Sequence, residues 1–383
     1  GHFLPPATYL PLILPRLSTV SNGEHPITIL ASMAEGTKSN ILQESIKDII
    51  EAVSIEDIAY KSQYEHQRAL LQLIKVIITK CDPSEVSFDI FRILLFIASS
   101  SEADNNVNTA LEQLDAFASK TKCAETSELY QRHLNAALKT LLLSANCWTE
   151  NTPQFLMFVG LMELAGQSLS YEMELFVKVL IACVPKKQDP YVSLRCLTKL
   201  RMLLLQEDHP LESSGQLGLW LPDLVSELKK CLTLIPALIE DDAEDTRYFS
   251  CDVIYSMSMN YPQLIDSQKL HVLAEKLVKR FDDVSQRIRL KAAQVLAVLF
   301  ENLPENYDSR LHSGQLQDLY KDAVIFLDDT DDKLQEAVSS TLETMGRACP
   351  ELLITALEKD IHKYRNAHRC HKLIETLKTL QLK

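Results

Sequence analysis

The sequence predicts an all-α protein, a solenoid of stacked antiparallel helix pairs. Three observations carry that prediction. A turn-and-helix signature recurs, apolar residues fall at helical spacing along most of the chain, and glycine is scarce. The signature is clearest at Asp283, Ile288, Arg289 and Pro304, offsets of zero, five, six and twenty-one. Forty-two residues earlier it reads Asp241, Thr246, Arg247 and Pro262. Ninety-four residues earlier it reads Asp189, Leu194, Arg195 and Pro210. Forty-six residues later it reads Asp329, Leu334, Gln335 and Pro350. Ser62, Gln67, Arg68 and Pro83 hold the same spacing near the start. A period in the forties on a helical background marks an array whose units bury their apolar faces against neighbours.

Composition narrows the function classes. Apolar residues make up 46% of the 383, too many for a disordered chain. Nine glycines are too few for the Gly-rich turns of phosphate-binding and doubly wound folds. A net charge of −13 argues against a general nucleic-acid binder, which needs a basic footprint. The charge is uneven: Lys359 to Lys383 carries a net +5, leaving −18 for the rest. Nine cysteines stand singly without a CxxC, which reads as buried thiols in a reducing compartment. The longest apolar run, Phe155 to Met162, is eight residues, far short of the ~18 of a membrane span. No signal peptide is visible, and the expected location is cytoplasmic. The abrupt Gly1-His2-Phe3 start reads as a piece of a longer array.

The expected organisation is one solenoid over 1–383. Residues 1–83 hold N-terminal repeats. Within them, 4–17 is a helix clipped by Pro5, Pro6, Pro11 and Pro15, and Ser21 to Pro26 is a loop. Ile41, Ile46, Ile49, Ile50 and Val53 predict an amphipathic helix. A second helix runs from about Tyr64 to Lys80, buries Leu70, Leu71, Ile74, Ile77 and Ile78, and stops before Pro83. These two helices are expected to pair. Residues 84–188 read as degenerate repeats, with helices at 86–99, 107–119, 127–146, 153–166 and 171–183. Only Thr126 and Arg132 keep the six-residue spacing there. Regular repeats fill 189–350, with helices at 190–206, 220–239, 245–259, 267–280, 285–302, 314–327 and 332–347. Capping helices near 350–362 and 366–381 occupy 351–383.

The signature has a physical rationale. Ile288, Ala292, Val295, Leu296 and Leu299 form one apolar stripe. The turn Asp can accept N–H groups left unpaired at the following helix start. The Arg six residues on is one turn into that helix and can reach the turn Asp of the adjacent repeat. The expectation is a ladder of Asp189, Arg195, Asp241, Arg247, Asp283, Arg289 and Asp329, with Arg68 as its N-terminal member. Gln335 should weaken it at the C-terminal end.

This pattern resembles the HEAT repeat. A narrower resemblance lies toward the C-terminus, in Leu277-Val278-Lys279-Arg280-Phe281-Asp282-Asp283-Val284-Ser285, in Leu319-Tyr320 ahead of Leu327-Asp328-Asp329, and in Ile361-His362-Lys363-Tyr364-Arg365-Asn366-Ala367. These segments resemble the HEAT-repeat dynein axonemal assembly factor family, most clearly over 260–383. The resemblance implies a non-enzymatic cytoplasmic scaffold that pre-assembles the dynein arms of motile cilia. It implies axonemal dynein chains, other assembly factors and co-chaperones as partners. The competing reading is another HEAT scaffold, such as a transport receptor or a phosphatase regulatory subunit.

No GxGxxG, GxxxxGK[ST], GxSxG or HExxH pattern occurs, so no catalytic residue and no cofactor is expected. His362, His368, Cys370 and His371 are closely spaced, but a zinc site needs about four converging ligands, and a basic helix with a packed Cys is the simpler reading. The acidic runs Glu240–Asp245 and Asp328–Asp332 lack the Gly and distal Glu of a calcium loop and read as capping turns. His362, Lys363, Tyr364, Arg365, Arg369 and Lys372 are the candidate partner-binding residues. They could hold an acidic peptide, cover an acidic face of the array, or simply face solvent.

Overall fold

A computed structural model describes residues 6–13, 26–53, 64–100, 104–183, 190–205, 229–365 and 367–381. Every regular element among them is helical. The chain divides into two compact units, Gly1–Val179 and Leu180–Lys383.

The first unit contains α1 (Pro6–Ile13), α2 (Pro26–Gly36), α3 (Ser39–Glu51), α4 (Tyr64–Lys80), α5 (Ser87–Ser100), α6 (Asp104–Lys120), α7 (Thr126–Leu142) and α8 (Pro153–Leu164). Helix α2 corrects the sequence reading, which placed no helix between Pro26 and Ile41. Its Ile27, Leu30, Ala31 and Ala34 are buried at the spacing of one helix face. Two of those four positions are alanine, so the apolar stripe is faint. The expected pairing is corrected as well: α4 packs mainly on α2 and α6, and only lightly on α3. Lys80, at the end of α4, donates to the carbonyls of Ala34 (3.5 Å) and Thr37 (3.1 Å) and so closes the C-terminal end of α2. Gln113 on α6 donates to the Leu71 carbonyl on α4 at 2.9 Å.

The middle of this unit departs from simple alternation. Helix α5 lies against both α6 and α8. Helix α7 packs on the 3-10 segment Gly166–Glu172. On α7, His133 Nε2 lies 2.9 Å from the Ser87 hydroxyl, with its ring 5.2 Å from that of Phe91.

The second unit is regular. It contains α10 (Pro190–Leu205), a helical stretch α11 over 229–238, α12 (Glu244–Asn260), α13 (Ser267–Lys279), α14 (Gln286–Glu301), α15 (Ser313–Val324), α16 (Asp332–Gly346), α17 (Pro350–Asp360) and α18 (His368–Gln381). Helix α9 (Met173–Cys183) spans the boundary between the two residue ranges. The second helices stack in the order α10, α12, α14, α16 and α18, and the first helices in the order α13, α15 and α17. Two burial stripes drive this. Leu270, Leu273, Ala274 and Leu277 on α13, and Ile288, Ala292, Val295, Leu296 and Leu299 on α14, are at most 1% exposed. Each large aliphatic among them contributes roughly 1.5–3 kcal/mol. Alanines 292 and 293 let α16 approach α14 closely enough for Thr341 to donate to the Ala293 carbonyl at 3.0 Å. The Tyr320 hydroxyl on α15 likewise donates to the Met345 carbonyl at 2.7 Å.

The loop between α14 and α15 folds onto α13 through aromatic groups. His271 Nε2 is 3.2 Å from the Tyr307 hydroxyl, and its ring lies 4.7 Å from that of His312. Burial, helped by Arg132, pushes the pKa of His133 down to about 4. Burial, helped by His312, pushes that of His271 down to about 4 as well. In the unfolded chain both titrate near ~6.5. Between those values the unfolded state binds more protons, so stability is fully present above the unfolded value and is lost as pH falls through the window. The expected cost is on the order of 2 kcal/mol for each histidine. Melting curves taken from neutral pH down to about pH 4 check this. A His133→Gln, His271→Gln variant should show a flatter profile than the parent; an unchanged slope contradicts the assignment.

None of the nine cysteines is in a disulfide, and all but Cys147 and Cys349 are buried. Among the described residues no helix is long and apolar enough to cross a membrane.

Candidate functional site

The recurring turn is built the same way three times. Asp241, Asp283 and Asp329 each fold back so that one carboxylate oxygen accepts the N–H two residues on, from Ala243 (2.9 Å), Ser285 (3.0 Å) and Asp331 (2.8 Å). This local bond fixes the turn and sets the direction of the helix that follows.

The Arg six residues on then joins two turns. Arg247 donates through one terminal nitrogen to the carbonyls of Asp241 (2.9 Å) and Asp242 (2.8 Å) in its own turn. Its Nε and other terminal nitrogen donate to the two Asp283 oxygens at 2.9 and 3.0 Å. The pair is almost sealed from water, with side-chain exposures of 9% and 2%. Only the rigid fork of a guanidinium can meet both turns at once. Burial works against the Asp283 carboxylate, but the bonds from Arg247 and the Ser285 N–H outweigh it and hold its pKa below the ordinary value. Arg280 adds a third cationic contact at 3.2 Å.

The next rung is looser. Arg289 reaches Asp329 at 3.5 Å and Asp331 at 3.1 Å, and these side chains are partly exposed. Gln286 also donates to Asp331, at 2.7 Å. At Gln335 only half of the arrangement remains: its amide donates to the Asp329 carbonyl at 2.5 Å, in its own turn. The following contact is reversed. Arg365, in the turn before α18, donates back to Asp328: main-chain N to one carboxylate oxygen and Nε to the other, both at 3.1 Å, and a terminal nitrogen to the carbonyl at 2.6 Å. Arg369 bonds Glu336 on α16. The sequence reading missed Asp331, Asp328 and Glu336 as partners: the signature tracks one Asp per turn, Asp328 and Asp331 lie beside it, and Glu336 lies in the helix that follows.

The other candidates sit differently. Asp189 lies outside the described residues. Arg195 is half-buried on α10. Arg68 is exposed on α4, and Ser62, the turn residue of its own repeat, lies outside the described residues. The buried residue there is its neighbour Gln67, which accepts from Asn106 on α6 at 3.3 Å.

Of the basic C-terminal candidates, Arg365 and Arg369 are committed to these contacts. His362, Lys363 and Lys372 are exposed and Tyr364 is half-buried. Cys370 points into the core, where burial pushes its thiol up to about 11, while His368 and His371 are exposed. Among the described residues no three His, Cys, Asp or Glu side chains are arranged to hold a metal ion.

Stacked pairs joined by this turn define the class: the fold is all-α, and the Leu180–Lys383 unit is a HEAT-type array of antiparallel helix pairs. The particular relatives agree with that class. The family model described as dynein axonemal assembly factor 5, HEAT-repeat domain, matches residues 1–101. That is the opposite end from the segments that carried the resemblance in the sequence. Dynein axonemal assembly factor 5 of Mus musculus is 25% identical over 425 residues, covering 99% of this chain and 50% of the relative. The Homo sapiens protein of the same name is 24% identical over 420 residues, covering 98% and 49%. The chain therefore resembles this assembly factor along nearly its whole length, and spans about half the length of these relatives. Among solved structures, the Kap95:Nup1 complex aligns with 98% of this chain and 46% of its own at 12% identity and a TM-score of 0.48. A designed armadillo repeat protein aligns with 63% of this chain and 99% of its own at 15% identity and a TM-score of 0.40.

Proposed function

We propose that this chain is a non-enzymatic, protein-binding scaffold that acts in the cytoplasm during pre-assembly of axonemal dynein arms. The observation that carries the reading is the similarity to dynein axonemal assembly factor 5 over 98–99% of the chain. The fold supports it: stacked helix pairs expose long helix faces suited to binding other proteins. The partners are axonemal dynein chains, other assembly factors and co-chaperones.

Proximity labelling in cells building motile cilia tests the reading. Dynein heavy or intermediate chains, or assembly factors, should be enriched over a control HEAT protein. Recovery of a Ran-type GTPase or a phosphatase catalytic subunit in their place would support the transport-receptor or phosphatase alternative.

A further inference from the structure

We propose that the basic surface around the α17–α18 turn docks a short acidic segment of a partner protein, in competition with Asp328 and Glu336 of this chain. The proposal rests on the scaffold reading and adds the chemistry of one partner segment.

Charge placement is the first argument. Residues 359–383 carry +5 in a chain that is otherwise −18. An acidic segment is repelled by most of this surface and attracted here. Lys359, His362, Lys363, His371 and Lys372 are all exposed. Exposed cations keep most of their hydration when a carboxylate arrives, so they contribute to encounter and specificity.

The second argument is the state of the two arginines. Arg365 is 69% exposed even while it holds Asp328, and Glu336 is 75% exposed while it holds Arg369. Each pair thus has one member largely in water, where an ion pair is weak and exchangeable. The buried rung at Arg247 and Asp283 offers no such exchange. The internal carboxylates occupy the arginines as a partner carboxylate would, which marks both the chemistry of the site and its competitor.

The third argument concerns the class of polyanion. The basic stretch is short and meets the acidic turn at Asp328 through Arg365. Nucleic acid and anionic bilayers present long or broad negative surfaces, which would meet those acids. A short acidic peptide fits within the basic stretch alone.

The test uses fluorescence anisotropy on the whole chain with a labelled Glu- and Asp-rich peptide. A matched Gln- and Asn-rich peptide and a single-stranded oligonucleotide serve as comparison probes. The acidic peptide should bind and the neutral one should not. Lys363→Glu with Lys372→Glu should weaken binding roughly tenfold. Lys321→Glu, an exposed charge reversal on α15, should leave it nearly unchanged. Glu336→Gln, which releases Arg369, should tighten it about threefold. Thermal melting confirms that each variant is folded. The docking site is overturned if the double reversal binds as the parent does, if Lys321→Glu costs as much, or if the oligonucleotide binds as well as the peptide. Unchanged affinity in Glu336→Gln removes the competition. Failure here leaves the dynein-assembly reading intact, because proximity labelling does not depend on this surface.

Discussion

Arg247→Ala should lower the stability of the Leu180–Lys383 unit by about 3 kcal/mol, the largest effect of any single charged residue in the seam. The change leaves Asp283 in place at 2% side-chain exposure, with only Arg280 and the Ser285 N–H to compensate it. It also strips donors from the carbonyls of Asp241 and Asp242. A buried carboxylate deprived of its main partner is costly because water cannot replace the lost bonds. Arg289→Ala should cost about 1 kcal/mol, since its partners are partly hydrated. Hydrogen exchange of α12 to α14 is the suitable measurement, because it reads this region without treating the two units as one transition. An Arg247→Ala, Asp283→Ala double variant should be less destabilised than the sum of the singles, with a coupling of roughly 1–3 kcal/mol. Raised salt should weaken the Arg289 contacts more than the Arg247 pair. Equal losses for Arg247→Ala and Arg289→Ala would contradict the view that burial sets the strength of each contact.

The ladder also shows what the sequence makes legible. Asp283 and Arg289 recur at fixed offsets because turn geometry is local: a carboxylate two residues before a free N–H bends the same way each time. Helix α4 was readable to the residue because Leu70, Leu71, Ile74, Ile77 and Ile78 are large and Pro83 ends the run. Helix α2 was not, because Ala31 and Ala34 bury as completely as leucine while leaving little apolar signal. The exchange of roles at Arg365 was not readable either. It depends on which side of the stack presents an acid, and the choice among Asp328, Asp329 and Asp331 is made by tertiary placement. The packing of α5 on α8 spans a separation that no period in the chain announces. It is permitted by one small residue within the apolar run Phe155 to Met162, Gly160.

Gly160→Val should therefore destabilise the Gly1–Val179 unit by about 3 kcal/mol. A Cβ at Gly160 would fall 1.7 Å from the Ser99 hydroxyl oxygen, 2.8 Å from Ser99 Cβ and 3.2 Å from a Leu95 methyl. The hydroxyl can rotate, at the cost of its bond to the Leu95 carbonyl. The Ser99 Cβ cannot, because it is fixed to the α5 backbone. Even alanine must push α5 and α8 apart, and the two further methyls of valine enlarge that shift among the buried Phe155, Phe158 and Leu161 of α8. The usual gain of up to ~1 kcal/mol from replacing a helical glycine with alanine is thus overridden. Ser99→Gly removes both colliding atoms, so Gly160→Ala should be tolerated in that background though not in the parent. Gly314→Ala gives the reference: its Cβ meets nothing within 4 Å, and the change should be neutral or slightly stabilising. Denaturant melts of the four variants decide the matter. If Gly160→Ala is as harmless as Gly314→Ala in the parent, the close approach of α5 and α8 is not what this glycine provides.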